Sequence, residues 1–317
     1  MPFALFPALL LLTAAQPAAT AAPPAAQAAI QPENLAVAQD GIAARFYPAQ
    51  GVKVGASVLM LGGSNCGYPS ARAARDLAVA GHPVLALAYC SGMAAKVDGL
   101  PNEVSRIPLE YIDRGFDWLA ARAGPAHRVA VMGESRGAEL ALHYGSTRMD
   151  VAGVIAFSPS SLIWPAIGDF SGTVPAWTRD GKPVAHVTMP FKFAPLPEPF
   201  RPALADAEQV RIASIAVENI PGPVLLVSSH ADMIWPAAEM SDRIAERLAK
   251  AHFRYKVENL QFDNASHVLM GPGAAPTEVQ LGDYTMIFGG TAEGTLAARD
   301  AGWAAAKRLL DSVEKPR

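Results

Sequence analysis

The sequence predicts an α/β chain built on a mostly parallel sheet, with helices on both faces. Three observations predict it. First, apolar runs the length of buried strands recur: Ala56–Leu61, Pro83–Tyr89, Val129–Met132, Val151–Phe157 and Pro223–Ser228. They are near-continuous rather than alternating, as strands covered on both faces must be. Second, helical patterns fall between them, as in Leu109, Ile112, Phe116 and Leu119. Third, 317 residues with 51% hydrophobic and 17% charged side chains supply one large core and carry no signature of disorder.

The N-terminus reads as a separate object. Phe3 to Leu12 is an apolar segment too short to span a bilayer, and small residues follow it. Ala19-Thr20-Ala21 and Ala26-Gln27-Ala28 both fit a small-x-small cleavage site, so residues 1–28 read as a signal peptide cut after about 21 or 28. It has no Lys or Arg before the apolar segment, which leaves an uncleaved anchor or a misplaced start codon as alternatives. The expectation is a periplasmic or secreted protein without stable membrane insertion after cleavage. The folded domain is expected over 33–317. The net charge of −3 and the lack of a basic cluster give no electrostatic case for nucleic acid.

Taken in order, Leu35 to Tyr47 reads as a hairpin around Asp40-Gly41. The strand Ala56–Leu61 runs into the glycine loop Gly62-Gly63-Ser64-Asn65. A helix follows from Ser70, its N-cap, to Ala80, with Gly81 as its stop. Pro83–Tyr89 is the next strand, and Pro108–Ala123 is an amphipathic helix. The strand Val129–Met132 leads through Gly133-Glu134-Ser135-Arg136-Gly137 into a helix expected to stop at Gly145. The stretch 159–204 breaks the pattern. It holds Trp164, Phe170, Trp177, Phe191, Phe193 and Phe200 among many prolines. It is too long for a plain connection and reads either as a lid and acyl-group wall or as an excursion filling its own core. Expected beyond it are a helix Ala205–Val217, a strand Pro223–Ser228, a helix Pro236–Ala251, a strand Phe253–Leu260 and a closing helix Thr291–Val313.

Strand, Gly-x-Ser-x-Gly, helix is the setting of a nucleophile elbow. The turn leaves no room for Cβ atoms at Gly133 and Gly137, and Ser135 is left strained at its tip. A serine hydroxyl needs a histidine to take its proton and a carboxylate to hold that histidine. In the α/β-hydrolase fold these follow in the order Ser, acid, His, on loops after late strands. Asp232 and His267 fit that order, with His230 and Asp263 as nearer-neighbour rivals. The N–H of Arg136 and that of Gly63 or Ser64 are the expected oxyanion donors. The Arg136 side chain either meets a substrate anion or is solvated or paired with a local carboxylate such as Glu134 or Glu139. Trp164, Trp235, Phe191 and Tyr68 are the expected substrate-binding residues. Cys66 and Cys90 each follow a strand at one edge of the sheet, so they are either disulfide-bonded or two unpaired thiols. No metal site is expected from two cysteines without paired histidines.

These stretches resemble the C-terminal catalytic domain of the acyl-CoA thioester hydrolase/bile acid-CoA:amino acid N-acyltransferase family, close to the dienelactone hydrolases. The matching residues are Gly62-Gly63-Ser64, Leu87-Ala88-Tyr89, Pro108-Leu109-Glu110-Tyr111, Asp117-Trp118-Leu119 and Gly133-Glu134-Ser135-Arg136-Gly137-Ala138-Glu139-Leu140. Further on are Ser158-Pro159-Ser160, Gly222-Pro223-Val224-Leu225-Leu226, Asp232-Met233-Ile234-Trp235-Pro236 and Ser266-His267. The resemblance runs from about residue 41 to 312. It implies Ser135 as nucleophile, Asp232 as acid and His267 as base, with no cofactor. Some family members carry cysteine as nucleophile, and the serine here looks more like hydrolysis than acyl transfer. The family's animal members also have an N-terminal β-sandwich domain for which this sequence leaves no room before the first central strand. The reading is an exported serine hydrolase of a carboxylic ester. The alternatives are an acyl-CoA thioesterase or acyltransferase and a catalytically silent binding protein.

Overall fold

The structure, a computed structural model, describes residues 30–51, 55–92, 96–123, 128–192 and 194–313. The expected signal peptide, His127 and Phe193 lie outside them. An eight-stranded sheet runs β1-β2-β4-β3-β6-β7-β10-β11. Its strands are β1 (Glu33–Leu35), β2 (Ala43–Tyr47), β3 (Ser57–Leu61), β4 (Val84–Ala88), β6 (Val129–Glu134), β7 (Val151–Phe157), β10 (Val224–Ser229) and β11 (Val257–Phe262). From β4 to β11 every neighbouring pair is parallel. β1 and β2 add an antiparallel edge. This is the α/β-hydrolase fold.

The strand pattern divides the core in two. Leu59 and Leu61 of β3 face one layer, with Phe116 of the helix Leu109–Ala123 and Leu140 of the helix Arg136–Thr147. Val58 and Met60 face the other, with Leu77 of the helix Ala71–Val79 and Trp303 of the helix Ala292–Ser312. Alternate side chains of one strand point to opposite faces, so a fully apolar strand needs cover on both. Caps set two of these helices. Ser70 Oγ accepts from the Ala73 N–H at 3.3 Å, and Thr291 Oγ1 from the Gly294 N–H at 3.0 Å.

Four boundaries differ from the sequence reading, each for a tertiary reason, and one element is added. The hairpin at 35–47 is an antiparallel pair joined by one helical turn, Val37–Asp40, closed by Gly41 at φ 72°. The elbow helix runs through Gly145 to Thr147; a Cβ at 145 would meet Val154 Cγ2 at 2.5 Å, so that glycine serves close helix–strand packing. The expected helix 205–217 is only Ala207–Ala213, because Ser214 and Ile215 turn extended and Ile215 N–H donates to the Ser161 carbonyl. The last sheet strand begins at Val257 rather than Phe253, because the preceding helix closes with the His252 and Phe253 N–H groups on Ala249 and Leu248 carbonyls. An exposed two-stranded ribbon, Glu278–Leu281 with Tyr284–Ile287, follows where the sequence reading placed nothing.

The insertion fills its own small core, as one of the two sequence readings expected, and it also borders a cavity. Leu162, Trp164, Val187, Ala203 and Leu204 form a small core with Trp235 and Met240. The strands β8 (Trp177–Arg179) and β9 (Lys182–Pro183) join β5 (Ile107–Pro108) in a minor sheet. The rest of the segment walls a cavity. No described helix is long and apolar enough to cross a membrane.

Cys66 and Cys90 are disulfide-bonded, with Cα atoms 5.0 Å apart. The bond ties the loop after β3 to the end of β4. Closing a loop of 24 residues separation removes unfolded-chain freedom worth about 3 kcal/mol. Replacing both cysteines by serine is therefore expected to lower the free energy of unfolding by that amount in oxidising buffer, with a lower denaturant midpoint. Reduced native protein should unfold at the same midpoint as the double variant, and unchanged midpoints would show the bond to be absent in solution.

Candidate active site

The turn from β6 into the elbow helix carries Ser135 at φ 57° and ψ −123°. A side chain pays strain in that region, and it persists only when its surroundings fix it. They do so by close approach. A Cβ on Gly133 would lie 2.0 Å from the Gly137 carbonyl oxygen, and one on Gly137 would lie 2.2 Å from the Gly62 carbonyl oxygen. Both glycines are thus required by space. Ser135 is 7% exposed, and its hydroxyl makes no cap bond to the helix it starts. The hydroxyl lines an otherwise mainly apolar cavity.

Asp232 and His267 meet across two loops. Asp232 Oδ2 accepts from His267 Nδ1 at 2.7 Å. Asp232 Oδ1 accepts the backbone N–H groups of Ile234 at 2.8 Å and Trp235 at 3.2 Å, so the carboxylate is fully engaged. This fixes the tautomer that leaves Nε2 bare to receive a proton. Burial lowers the proton affinity of His267, but the facing Asp232 carboxylate and its hydrogen bond outweigh that, and the net shift is upward. The rivals fall away. His230 and Asp263 are exposed, and neither is bonded to His267 or Asp232.

Several groups that the sequence reading left without a role hold this pair. Glu134, next to Ser135, accepts the backbone N–H groups of Leu269 at 2.7 Å and Met270 at 2.6 Å. It therefore ties the loop carrying His267 to the elbow, and it is not a partner of Arg136. Ser158, at φ 47°, donates to the His267 carbonyl at 2.6 Å. The Phe288 carbonyl accepts from both Met233 N–H, 3.2 Å, and His267 N–H, 3.0 Å. The available signal was composition. Glu134 is an acid at the end of an apolar strand, and Ser158 follows directly on another.

The residues expected as oxyanion donors lie near Ser135. A Cβ on Gly63 would stand 3.4 Å from Ser135 Cβ, so the glycine loop lies against the nucleophile. Ser64 and Arg136 line the same cavity as Ser135. Arg136 is the first residue of its helix, where the N–H has no intrahelical acceptor. Its side chain is buried and paired with Glu139 at 2.7 Å, and it donates to the Trp164 and Pro165 carbonyls at 3.1 and 3.0 Å. It is neither solvated nor free for a substrate anion. Burial pushes the Glu139 carboxyl up to about 7, against the pull of Arg136 and the Trp177 indole N–H.

The cavity holds about 260 Å³. Trp164, Phe191, Phe200 and Trp235 line it, and their rings form a chain: Phe191–Phe200 5.6 Å, Trp164–Phe200 4.9 Å, Phe200–Trp235 6.0 Å and Trp235–His267 5.9 Å between centroids. Trp164, Trp235 and Phe191 stand where the sequence reading expected substrate. Tyr68 does not. It lies on the far side of the Gly63 loop with Arg45 stacked 4.2 Å from its ring centre. The positive-φ turn at Cys66-Gly67, pinned by the disulfide, carries it there. No cluster of metal ligands occurs among the described residues.

Removing the Glu134 carboxylate would leave two buried N–H groups unpaired, at about 1–3 kcal/mol each. Glu134→Ala is thus expected to lose about 2–6 kcal/mol of stability and most of the turnover, while Glu134→Gln, whose amide oxygen can take both N–H groups as Oε1 does, retains most of both. Equal loss in the two variants would mean that charge, not the hydrogen bonds, holds the loop.

Comparison with known proteins follows the geometry. No curated protein sequence matches the chain. Among solved structures, a puromycin-hydrolyzing peptidase of Mycobacterium tuberculosis aligns at 15% identity and TM-score 0.55, over 91% of this chain and 40% of that one. A Klebsiella pneumoniae protein assigned as a dienelactone hydrolase aligns at 17% identity and TM-score 0.54, over 90% of this chain and 99% of that one. An acylaminoacyl peptidase of Pyrococcus horikoshii aligns at 13% and 0.54, over 87% and 41%. This chain therefore spans about two fifths of the length of the two peptidases, and such identities establish the fold alone. Residues 107–312 match the family described as BAAT / acyl-CoA thioester hydrolase C terminal, and the chain belongs to that family.

Proposed function

We propose that the protein is an exported serine hydrolase that cleaves a carboxylic ester whose acyl group fills the aromatic cavity. One observation carries the reading: a strained, cavity-lining serine at a helix N-terminus, with the loop of an Asp-bound histidine tied to its neighbour Glu134. Family membership supports hydrolase chemistry. The disulfide supports an oxidising compartment, and so do the apolar N-terminal segment and its small-residue sites.

In this mechanism His267 Nε2 takes the Ser135 proton as Oγ adds to the ester carbonyl. The carbonyl oxygen becomes an oxyanion held by the Arg136 N–H and the Gly63/Ser64 loop. The tetrahedral adduct collapses, and His267 gives the proton to the departing alkoxide. Water, deprotonated by His267, then attacks the acyl-enzyme, and the acid leaves as Ser135 recovers its proton. Asp232 stays ionised and stabilises the imidazolium. A thioester is the second reading, favoured by membership of the BAAT / acyl-CoA thioester hydrolase C-terminal family. The same steps apply with a thiolate leaving.

The cavity, about 260 Å³, is bounded by the bulky rings of Trp164, Phe191, Phe200 and Trp235. Turnover of p-nitrophenyl esters should therefore peak at short to medium acyl chains and fall for longer ones, and Ser135→Ala should lose at least about a thousandfold in kcat. Acyl-CoA of matching chains, measured alongside, discriminates the two leaving groups. Full activity in Ser135→Ala would sink the serine mechanism.

The pH profile has a definite sign. The base must be neutral, and the His267 pKa is raised, so it stays protonated to higher pH than a free imidazole. The acid limb of kcat/KM is expected to have its midpoint above 6.5, the ordinary value. Asp232→Asn should move that midpoint downward while cutting the plateau severalfold; an unmoved limb would assign it to another group.

A further inference from the structure

Tyr89 stands at the end of β4, in the Leu87-Ala88-Tyr89 stretch that the mechanism above does not use. It is 2% exposed, and its hydroxyl donates to the Gly62 carbonyl at 2.5 Å, with the Gly63 carbonyl at 3.3 Å. A phenol has one proton to give, so the shorter contact is the principal bond. In a planar trans peptide the carbonyl and the following N–H point in opposite directions. Fixing the Gly62 carbonyl on Tyr89 therefore turns the Gly63 N–H to the other side of the loop. The Gly63 and Ser64 N–H groups have no acceptor among the described residues. Gly63 itself lies against Ser135.

We infer that Tyr89 is a positioning residue that aims the Gly63 N–H as the second oxyanion donor, by holding the Gly62 carbonyl from behind. The inference rests on the serine-hydrolase reading above. Tyr89 is itself held rigidly. Its ring packs edge-on against Trp177 at 5.6 Å, and the Trp177 indole N–H donates to Glu139 Oε1 at 2.7 Å. The other Glu139 oxygen takes Arg136, whose own N–H is the first donor. One buried network thus reaches both donor residues. The neighbouring Cys90 adds a second tether to the same loop through Cys66. Burial raises the Tyr89 pKa above its ordinary value, so the group remains a hydrogen-bond donor across the working range of pH.

The test uses the full chain with Tyr89→Phe, which removes the hydroxyl and keeps the ring. Losing an oxyanion donor outright costs about 10²–10³ in kcat. A donor left misaimed should cost about 10- to 100-fold, with KM changed by less than about twofold. The affinity of an alkylboronic acid, which places a tetrahedral oxygen in the same site, should fall by the same factor as kcat. Unchanged kcat, or a loss confined to KM, would overturn the inference. Fluorophosphonate labelling of Ser135 in the native protein separates the two levels. If it labels and Tyr89→Phe is fully active, only the role of Tyr89 fails; if Ser135 does not label, the serine reading and this inference fail together. Should Tyr89→Phe not fold, 3,5-difluorotyrosine at position 89 keeps ring and donor but ionises at lower pH. Its kcat should fall on the alkaline side earlier than that of the native protein, and an unshifted alkaline limb would overturn the inference.

Discussion

The close approach of Gly137 to the Gly62 carbonyl is the constraint on which the site depends. It brings the start of the elbow helix against the loop after β3, and no side chain larger than hydrogen fits between them. Everything else at the site is measured from that contact. Ser135 is forced to φ 57° because Gly133 and Gly137 must pass within van der Waals distance of each other. The first helical N–H and the glycine loop then face one small volume. The apolar strands to either side make this affordable, since β3 and β6 are buried and paired in register through Leu61 and Gly133.

The insertion is joined to this centre from its inside. Arg136 donates to the Trp164 and Pro165 carbonyls, so the first residue of the elbow helix also anchors the aromatic wall. A guanidinium this deeply buried is costly without partners, and here Nη1 meets the Glu139 carboxylate and Nη2 the two carbonyls. Residue 136 thus anchors the pocket wall through its side chain, while its backbone N–H stands at the helix start beside Ser135.

The parts legible in the sequence were those set by local chemistry. The Gly133–Gly137 turn, the Ser70 and Thr291 caps and the order of Ser135, Asp232 and His267 all follow from short spacings and strand signals. What was not legible depended on partners distant in the chain. Gly145 looked like a helix stop because the sequence does not show Val154 pressing on it. Tyr68 looked like a pocket residue because it follows the glycine loop, yet the turn pinned at Cys66 carries it away. Glu134 looked like a counter-ion for Arg136, whereas its acceptors are spent on backbone more than 130 residues on. The ribbon at 278–287 has little burial to mark it, so its alternation carried no core signal.

The Phe288 carbonyl takes hydrogen bonds from Met233 and His267 alike. Acid and base therefore hang from one atom as well as from each other. A displacement of that atom is common-mode: it carries both loops in the same direction and leaves their 2.7 Å separation nearly unchanged. What such motion alters is the distance of the pair, taken as one body, from Ser135. The dyad is thus insulated against internal misalignment, and the gap that such motion modulates is the one between the dyad and Ser135.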